Sequence, residues 1–133
     1  MTFELPRSQR LTRRADFLRI QQEGQRVTTK HFVLIVAPGP DPLAPPRLGI
    51  TASRQVGNSV TRARCKRLVR EVFRRDRGWL PPGVDLVVIV RSSAQALGYA
   101  GVEAEWSSVR GVLARRAATL RKRPPPLGEA PLR

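Results

Sequence analysis

The most informative stretch of the sequence reads Gly57-Asn-Ser-Val-Thr-Arg-Ala-Arg-Cys-Lys-Arg-Leu-Val-Arg-Glu-Val-Phe-Arg-Arg75. Asn58 or Ser59 can cap a helix at its start, Gly78 and the turn at residues 81–83 can end it, and no residue between them breaks a helix. Five apolar residues recur at the spacing of one helix face: Cys65, Leu68, Val69, Val72 and Phe73. The stretch therefore predicts a long amphipathic helix whose apolar stripe packs on a core.

The other side of this predicted helix is strongly basic. Eight Lys or Arg residues stand between residues 62 and 77, against only Glu71 and Asp76. Like charges three or four residues apart weaken an isolated helix by a few tenths of a kcal/mol per pair. A solvated surface helix from an arginine-rich proteome is the plain alternative, but such a face normally mixes its signs. Contact with phosphate groups explains the pattern better.

The flanking segments predict a sheet. Residues 32–37 and 85–90 are continuous apolar runs rich in β-branched residues, which is typical of strands buried on both faces. Residues 47–53 alternate and predict a further strand, and residues 26–30 can add an edge strand. Five prolines within residues 38–46 exclude regular structure there and predict a surface loop.

Two more helices complete the predicted domain. Residues 10–22 carry Leu11, Phe17, Leu18 and Ile20 among basic residues, and residues 99–120 carry apolar residues, among them Trp106, at helical spacing. Residues 121–133 include three consecutive prolines and predict a disordered tail. A chain of 133 residues can bury one modest core. We therefore expect a single domain over residues 1–120, with one sheet and about three helices.

The composition points to a polyanionic partner. The formal net charge is +15, from 25 Lys and Arg against 10 Asp and Glu, and only three of these cations are lysines. Arginine binds phosphate through two bonds and stacks on bases, so the preference favours nucleic acid. The single cysteine cannot form an internal disulfide, and no segment approaches the roughly 20 apolar residues of a membrane span. We expect a cytoplasmic protein with no membrane partner.

Catalytic side chains are scarce in the sequence. His31 is the only histidine and precedes an apolar strand, which favours a strand-edge role over that of a general base. One cysteine and one histidine cannot make a zinc site, and Cys65 belongs to the apolar stripe. The scattered acidic residues argue against a protein-only nuclease, which needs carboxylates clustered around metal. If the protein takes part in hydrolysis, another molecule supplies the chemistry.

Phe17 allows two interpretations. An aromatic residue at helical spacing is usually part of a core. The alternative is a platform on which an unpaired base stacks, a contact worth about 1 to 3 kcal/mol per base.

The stretch from residue 47 to residue 75 resembles the signature of the bacterial ribonuclease P protein family. The matching motifs are Arg47-Leu48-Gly49-Ile50, Arg54 followed by Gly57-Asn58-Ser59-Val60, Arg62-Ala63-Arg64, Lys66-Arg67, Arg70-Glu71 and Phe73-Arg74. The resemblance extends over residues 5–116. Three positions depart from the family pattern: Ala63 replaces an asparagine, Gln55 a basic residue, and Gln21 an additional aromatic residue.

The resemblance implies an α/β (α+β) two-layer sandwich, with a four-stranded mixed sheet and a left-handed βαβ crossover through the basic helix. Handedness rules alone would predict a right-handed crossover. It also implies that the chain is the protein subunit of a ribonucleoprotein endoribonuclease. The protein subunit would not be catalytic without the RNA. Its partners would be the ribonuclease P catalytic RNA, which performs the cleavage, and precursor tRNA. Mg²⁺ would be bound mainly by the RNA subunit and the substrate.

Two sets of site residues follow from the resemblance. The first set would bind the catalytic RNA: Asn58, Arg62, Arg64, Lys66, Arg67, Arg70 and Arg74. The second set would bind the single-stranded 5′ leader of precursor tRNA in a cleft between the first helix and the sheet: Phe17, Phe32, Arg54 and Arg91.

Two other RNA- or DNA-binding classes compete with this interpretation. A ribosomal-protein-like or other structural RNA-binding protein would explain the charge equally well. If Phe17 and Arg91 lie in one cleft, leader binding is favoured. A flat sheet with no groove would favour the structural RNA-binding protein. A helix-turn-helix regulator is disfavoured because no short helix directly precedes Gly57.

Overall fold

The structure is a computed structural model of the chain and describes residues 5, 7–75, 80–92, 94 and 97–122. Within these residues the elements follow the order α1 (Arg14–Glu23), β1 (Gln25–Thr28), β2 (Phe32–Pro38), β3 (Arg47–Ala52), α2 (Ser59–Arg75), β4 (Val84–Val90) and α3 (Tyr99–Lys122). Short 3-10 helices lie at Arg7–Gln9 and Arg54–Val56. The predicted helix end at Gly78 and most of the predicted tail, residues 123–133, lie outside the described residues.

The strands form one four-stranded mixed sheet in the order β1-β2-β4-β3. β2 is antiparallel to both β1 and β4, whereas β3 runs parallel to β4. The two central strands are therefore the two continuous apolar runs, and both are buried on two faces over most of their length, as predicted, with Val33 and Ile89 half-buried. The parallel pair is joined through α2, as a βαβ crossover requires. The left hand of that crossover stays a prediction.

The larger core lies between the sheet and the helices α2 and α3. Alternate residues of the central strands, such as Leu34 in β2 and Leu86 and Val88 in β4, point into it. The apolar stripe of α2 meets them, as predicted, and α3 contributes Trp106 and other apolar side chains. Within the described part of the chain, no helix combines the length and the apolarity needed to cross a membrane.

α1 lies on the opposite face of the sheet. Leu11 and Ile20 form a second, smaller cluster with Ile35, Ala37 and Val87, which alternate with the residues of the larger core. The sheet is therefore covered by α2 and α3 on one face and, in part, by α1 on the other, which adds to the predicted two-layer arrangement.

The predicted start of α1 was wrong by four residues. The backbone N–H of Leu11 donates to the carbonyl of Leu48 at 2.8 Å, and Arg10 forms a parallel bridge with Leu48. The segment before Arg14 is thus held beside β3 and cannot also be helical. Leu18, predicted on the apolar side, is 44% exposed.

The start of α2 agrees with the sequence prediction. Gly57 adopts a φ of +150°, a conformation that L side chains rarely take. Asn58 then caps the helix, because its Oδ1 accepts the backbone N–H of Thr61 at 2.9 Å. Gly57 and Asn58 thus connect the short 3-10 helix that follows β3 to the basic helix.

Candidate nucleic-acid interface

The first candidate surface is the basic side of α2. Cys65, Val69, Val72 and Phe73 are buried, so the opposite side of the helix faces outward. Arg64 and Arg67 are exposed on that side. Arg62, Lys66 and Arg70 are half-buried at its margins. The helix therefore presents five of the predicted cations along one surface.

Most of these cations keep their charge available to a partner. Among the described residues, Arg62, Lys66 and Arg67 take part in no ion pair. The guanidinium of Arg64 donates to the carbonyl of Leu97 at 2.9 Å, which orients the side chain. Three like-charged side chains without counter-ions make an attractive site for phosphate groups.

Arg74 and Asn58, also predicted to contact RNA, have side-chain partners within the protein as well. Arg74 binds the carboxylate of Glu71 through both Nε and Nη2, at 2.9 and 3.0 Å. The hydrogen bond from Arg74 is the main cause of the lowered pKa of Glu71. Asn58 uses its carbonyl oxygen for the helix cap, which leaves its amide N–H groups for a partner. Asp76 and Arg77, also predicted on this helix, lie outside the described residues.

The second candidate surface begins where Phe17 of α1 meets β3. Gly49 has no side chain, and a Cβ atom there would lie 2.7 Å from Cζ of Phe17 and 2.9 Å from Cβ of Leu11. The aromatic ring therefore lies directly on the backbone of β3. Phe17 is half-buried, so it packs on the sheet and still presents part of its ring. The two interpretations of Phe17, core residue and stacking platform, are geometrically compatible.

An apolar strip continues from Phe17 across the sheet. Gly49 pairs with Val87, and the next residues on the same face are Thr51 of β3 and Ile89 of β4, with Val33 of β2 beside Ile89. Thr51, Ile89 and Val33 are half-buried, because α1 covers only the other end of this face. The sequence pattern did not identify this strip. A run that is apolar at every position does not show which residues share a face.

Arg54 and Arg91 lie at the end of the sheet towards which this strip runs. Arg91 follows β4 and Arg54 follows β3, and the carboxyl ends of parallel neighbours meet at one sheet edge. Both side chains are exposed. Arg91 is also held in place, since its Nη1 donates to the carbonyl of Thr29 at 3.0 Å. Arg54 and Arg91 are thus placed at the sheet edge next to Thr51 and Ile89, and Phe17 lies further along the same two strands, over Gly49.

Phe32 does not belong to this surface. It is 1% exposed and points into the larger core, where its ring meets that of Trp106 edge to face with centroids 6.3 Å apart. Its neighbour Val33 takes the opposite face, because successive side chains of a strand alternate. The prediction that Phe32 binds the leader is therefore corrected: Val33 occupies the equivalent place in the strip.

A buried carboxylate fixes α1 to the sheet. Asp85 of β4 is 1% exposed and accepts hydrogen bonds from Nε and Nη2 of Arg47, at 2.9 and 2.8 Å, and from Nη2 of Arg19, at 2.9 Å. The bond to Asp85 is the main cause of the raised pKa of Arg47. Sequence reasoning missed this network because Arg19 and Asp85 are 66 positions apart.

Several acidic groups of the described residues are bound by other side chains, and the thiol is buried. No group of three or more His, Cys, Asp or Glu side chains in this part of the chain is arranged to hold a metal ion. Asp85 and Glu71 are bound by arginines, and Glu105 by Thr29 and His31. Burial raises the pKa of the Cys65 thiol, in spite of nearby Arg64, so the thiol stays protonated and acts in packing.

Comparison with known proteins agrees with this architecture. The family model described as Ribonuclease P matches residues 5–114. The ribonuclease P protein component of Syntrophus aciditrophicus is 39% identical over 98 residues, which cover 74% of this chain and 81% of that protein.

Two solved structures share the fold. The RNase P protein of Staphylococcus aureus superposes with a TM-score of 0.70 at 28% identity, covering 79% of this chain and 94% of that one. The RNase P protein of Thermotoga maritima gives a TM-score of 0.67 at 34% identity, covering 80% and 96%. From its sequence, its sheet order and these likenesses, the chain belongs to the bacterial ribonuclease P protein family.

Proposed function

We propose that the chain uses two separate surfaces as the protein subunit of ribonuclease P. The basic side of α2 binds the catalytic RNA, and the strip from Phe17 to Arg54 and Arg91 binds the 5′ leader of precursor tRNA. The observation that carries the proposal is the strip itself. It combines a half-buried aromatic ring with a half-buried floor on the sheet face opposite the larger core, and two exposed arginines follow the strands at the sheet edge where β3 and β4 end.

Each surface suits a different form of RNA. Unpaired bases stack on aromatic rings, while arginines bind the phosphates that join them, so the strip suits a single strand. The basic side of α2 has no exposed aromatic ring among its described residues and suits the phosphate backbone of a folded RNA. The protein would therefore hold the leader on one side while docked on the RNA subunit by the other.

The hydrolytic chemistry belongs, in this proposal, to the RNA subunit. Mg²⁺ ions held mainly by the RNA subunit and the substrate would supply a nucleophile and stabilise the leaving oxygen. The chain's own contribution is to bind and orient the leader, because no group of three or more His, Cys, Asp or Glu side chains among its described residues is arranged to hold a metal ion. An RNA substrate and a free, buried cysteine also fit a cytoplasmic location.

A structural RNA-binding protein with no role in cleavage is the main alternative. It would account for the basic helix equally well. It would not account for an open apolar strip that begins at Phe17, which favours a single-stranded ligand.

The decisive test is reconstitution. The purified chain, the ribonuclease P RNA and a precursor tRNA are combined at a magnesium concentration too low for the RNA alone, and leader release is followed. We expect cleavage only when protein and RNA are both present, since the described residues include no group of His, Cys, Asp and Glu side chains arranged to hold a metal ion. Cleavage by nuclease-free protein alone, or no gain on adding the protein, would contradict the proposal.

A further inference from the structure

The turn between β1 and β2 is fixed from both sides. Thr29 closes it locally: its backbone N–H donates to the carbonyl of Phe32 at 2.8 Å, and its hydroxyl accepts the Phe32 N–H at 3.1 Å. The turn carries Lys30 at its exposed tip and His31 just before β2. It lies at the same sheet edge as Arg91, the residue that follows β4.

Glu105 of α3 holds the first side of this turn. Its Oε2 accepts the backbone N–H of His31 at 2.7 Å and the hydroxyl of Thr29, and its Oε1 lies 2.5 Å from Nδ1 of His31. The Glu105 side chain is only 13% exposed. Burial opposes its ionisation, but the hydrogen bonds from Thr29 and His31 outweigh burial and lower the pKa of this carboxyl. The Glu105 carboxylate therefore binds the turn through three contacts with Thr29 and His31.

Arg91 is attached to the other side of the same turn. Its backbone N–H donates to the carbonyl of His31 at 2.9 Å, and its Nη1 donates to the carbonyl of Thr29 at 3.0 Å. The two residues that Glu105 binds are therefore the two residues that hold Arg91. The remaining guanidinium N–H groups of this exposed side chain can face a ligand.

We propose that Glu105 is a positioning residue, which acts through the turn at Thr29 and His31 to hold Arg91 in place for the RNA leader. This inference rests on the proposed leader-binding role of Arg91. An exposed arginine loses much rotamer freedom when it binds a phosphate, and a side chain fixed beforehand loses less. Removing Glu105 frees the turn, and the guanidinium then has to be ordered by the substrate.

The test is a double-mutant cycle measured in the holoenzyme, with the RNA subunit present. Precursor and mature tRNA affinities are compared for the wild type, Glu105→Ala, Arg91→Ala and the double variant. Glu103→Ala serves as the matched control, because Glu103 is an exposed carboxylate on the same helix. Its removal changes the net charge equally and leaves the turn intact. Melting temperatures establish that each variant is folded.

We expect Glu105→Ala to weaken precursor binding by between about two-fold and thirty-fold, with Glu103→Ala and all mature tRNA affinities unchanged. The effect should vanish when Arg91 is already alanine, because the turn then has no guanidinium to position. A general structural defect would instead weaken binding equally in both backgrounds. Glu105→Gln, which keeps one hydrogen-bond acceptor, should retain part of the affinity and provides a milder variant if the alanine variant unfolds.

The outcomes separate this inference from the proposed function. If Arg91→Ala weakens precursor binding but Glu105→Ala and Glu105→Gln do not, only the positioning role is overturned. An equal weakening in both backgrounds overturns it as well. If Arg91→Ala and Phe17→Ala both leave precursor affinity at the wild-type value, the leader surface itself is wrong.

Discussion

At the scale of single residues, the contact between Gly49 and Phe17 links a sequence motif to a surface. The glycine of Arg47-Leu48-Gly49-Ile50 is required because the Phe17 ring and Leu11 occupy the space where its Cβ would lie. The same contact leaves part of the ring accessible. One glycine thus determines how closely α1 approaches β3 and how the aromatic platform is presented.

Gly49→Ala should destabilise the protein by about 1 to 3 kcal/mol, because the added methyl overlaps two packed side chains. The free energy of unfolding, measured with denaturant, tests this. Gly111→Ala is the control: Gly111 is exposed in α3, and its Cβ would meet only Nη1 of Arg115 at 3.5 Å. That variant should gain up to about 1 kcal/mol from helix propensity. If Gly49→Ala is as stable as the wild type, the close approach of Phe17 to β3 is wrong.

Single residues also mark where sequence reasoning failed. Phe32 was assigned to the leader surface on the strength of the family resemblance. In a strand that is apolar at every position, however, periodicity does not reveal which side chain takes which face. The partners of Asp85 and Glu105 lie up to 76 positions away, so no local pattern could indicate them. The cap at Asn58 was predictable because it depends only on neighbours within three residues.

At the scale of elements, strong local patterns predicted most boundaries. The observed α2 and α3 and the two central strands each end within two residues of the predicted bounds or agree with them. α1 began four residues late because the segment before it bonds to β3, a contact that helical spacing cannot anticipate. Its placement on the second sheet face likewise depends on Asp85, a distant partner.

Asp85→Ala should detach α1 from the sheet, because Arg19 and Arg47 would be deprived of their shared carboxylate. We expect a destabilisation of about 3 kcal/mol, the lower end for breaking a buried pair, since both arginines keep partial access to water. Asp16→Ala is a matched comparison, as Asp16 pairs with the same Arg19 at 3.4 Å but is more exposed. It should cost less than about 1 kcal/mol. Equal effects of the two variants in thermal or denaturant unfolding would show that Asp85 has no special role.

The role of α2 predicts a change in salt dependence. Arg67→Ala removes an exposed cation that has no ion pair among the described residues, and affinity for the catalytic RNA should fall. The slope of log affinity against log salt should flatten by roughly 0.7 to 0.9 for each phosphate group that the variant no longer binds. Adding Lys66→Ala should flatten it further. Arg115→Ala, which removes an exposed cation from α3, should leave the slope nearly unchanged. If Arg115→Ala flattens the slope more than Arg67→Ala does, the docking surface lies on α3.

At the scale of the whole molecule, the fold separates the two proposed RNA-binding surfaces. α2 packs on one face of the sheet, and the strip beside Phe17 lies on the other, so damage to one surface should spare the other. Much of the +15 charge remains outside α2, and the substrate as well as the RNA subunit can use it. This separation is what the proposed function requires: one surface binds the leader of the substrate while the other binds the catalytic RNA.

The most direct test of this account is the effect of Phe17→Ala on precursor and mature tRNA binding by the reconstituted holoenzyme. The account predicts that binding of precursor tRNA weakens by about 1 to 3 kcal/mol, or roughly five-fold to a hundred-fold. Mature tRNA, which lacks the leader, should bind almost as before, and the variant should still dock on the catalytic RNA. If Phe17 only packs the core, the variant should instead be destabilised by about 3 to 5 kcal/mol and bind both substrates poorly. A folded variant that binds precursor and mature tRNA as the wild type does would contradict the account.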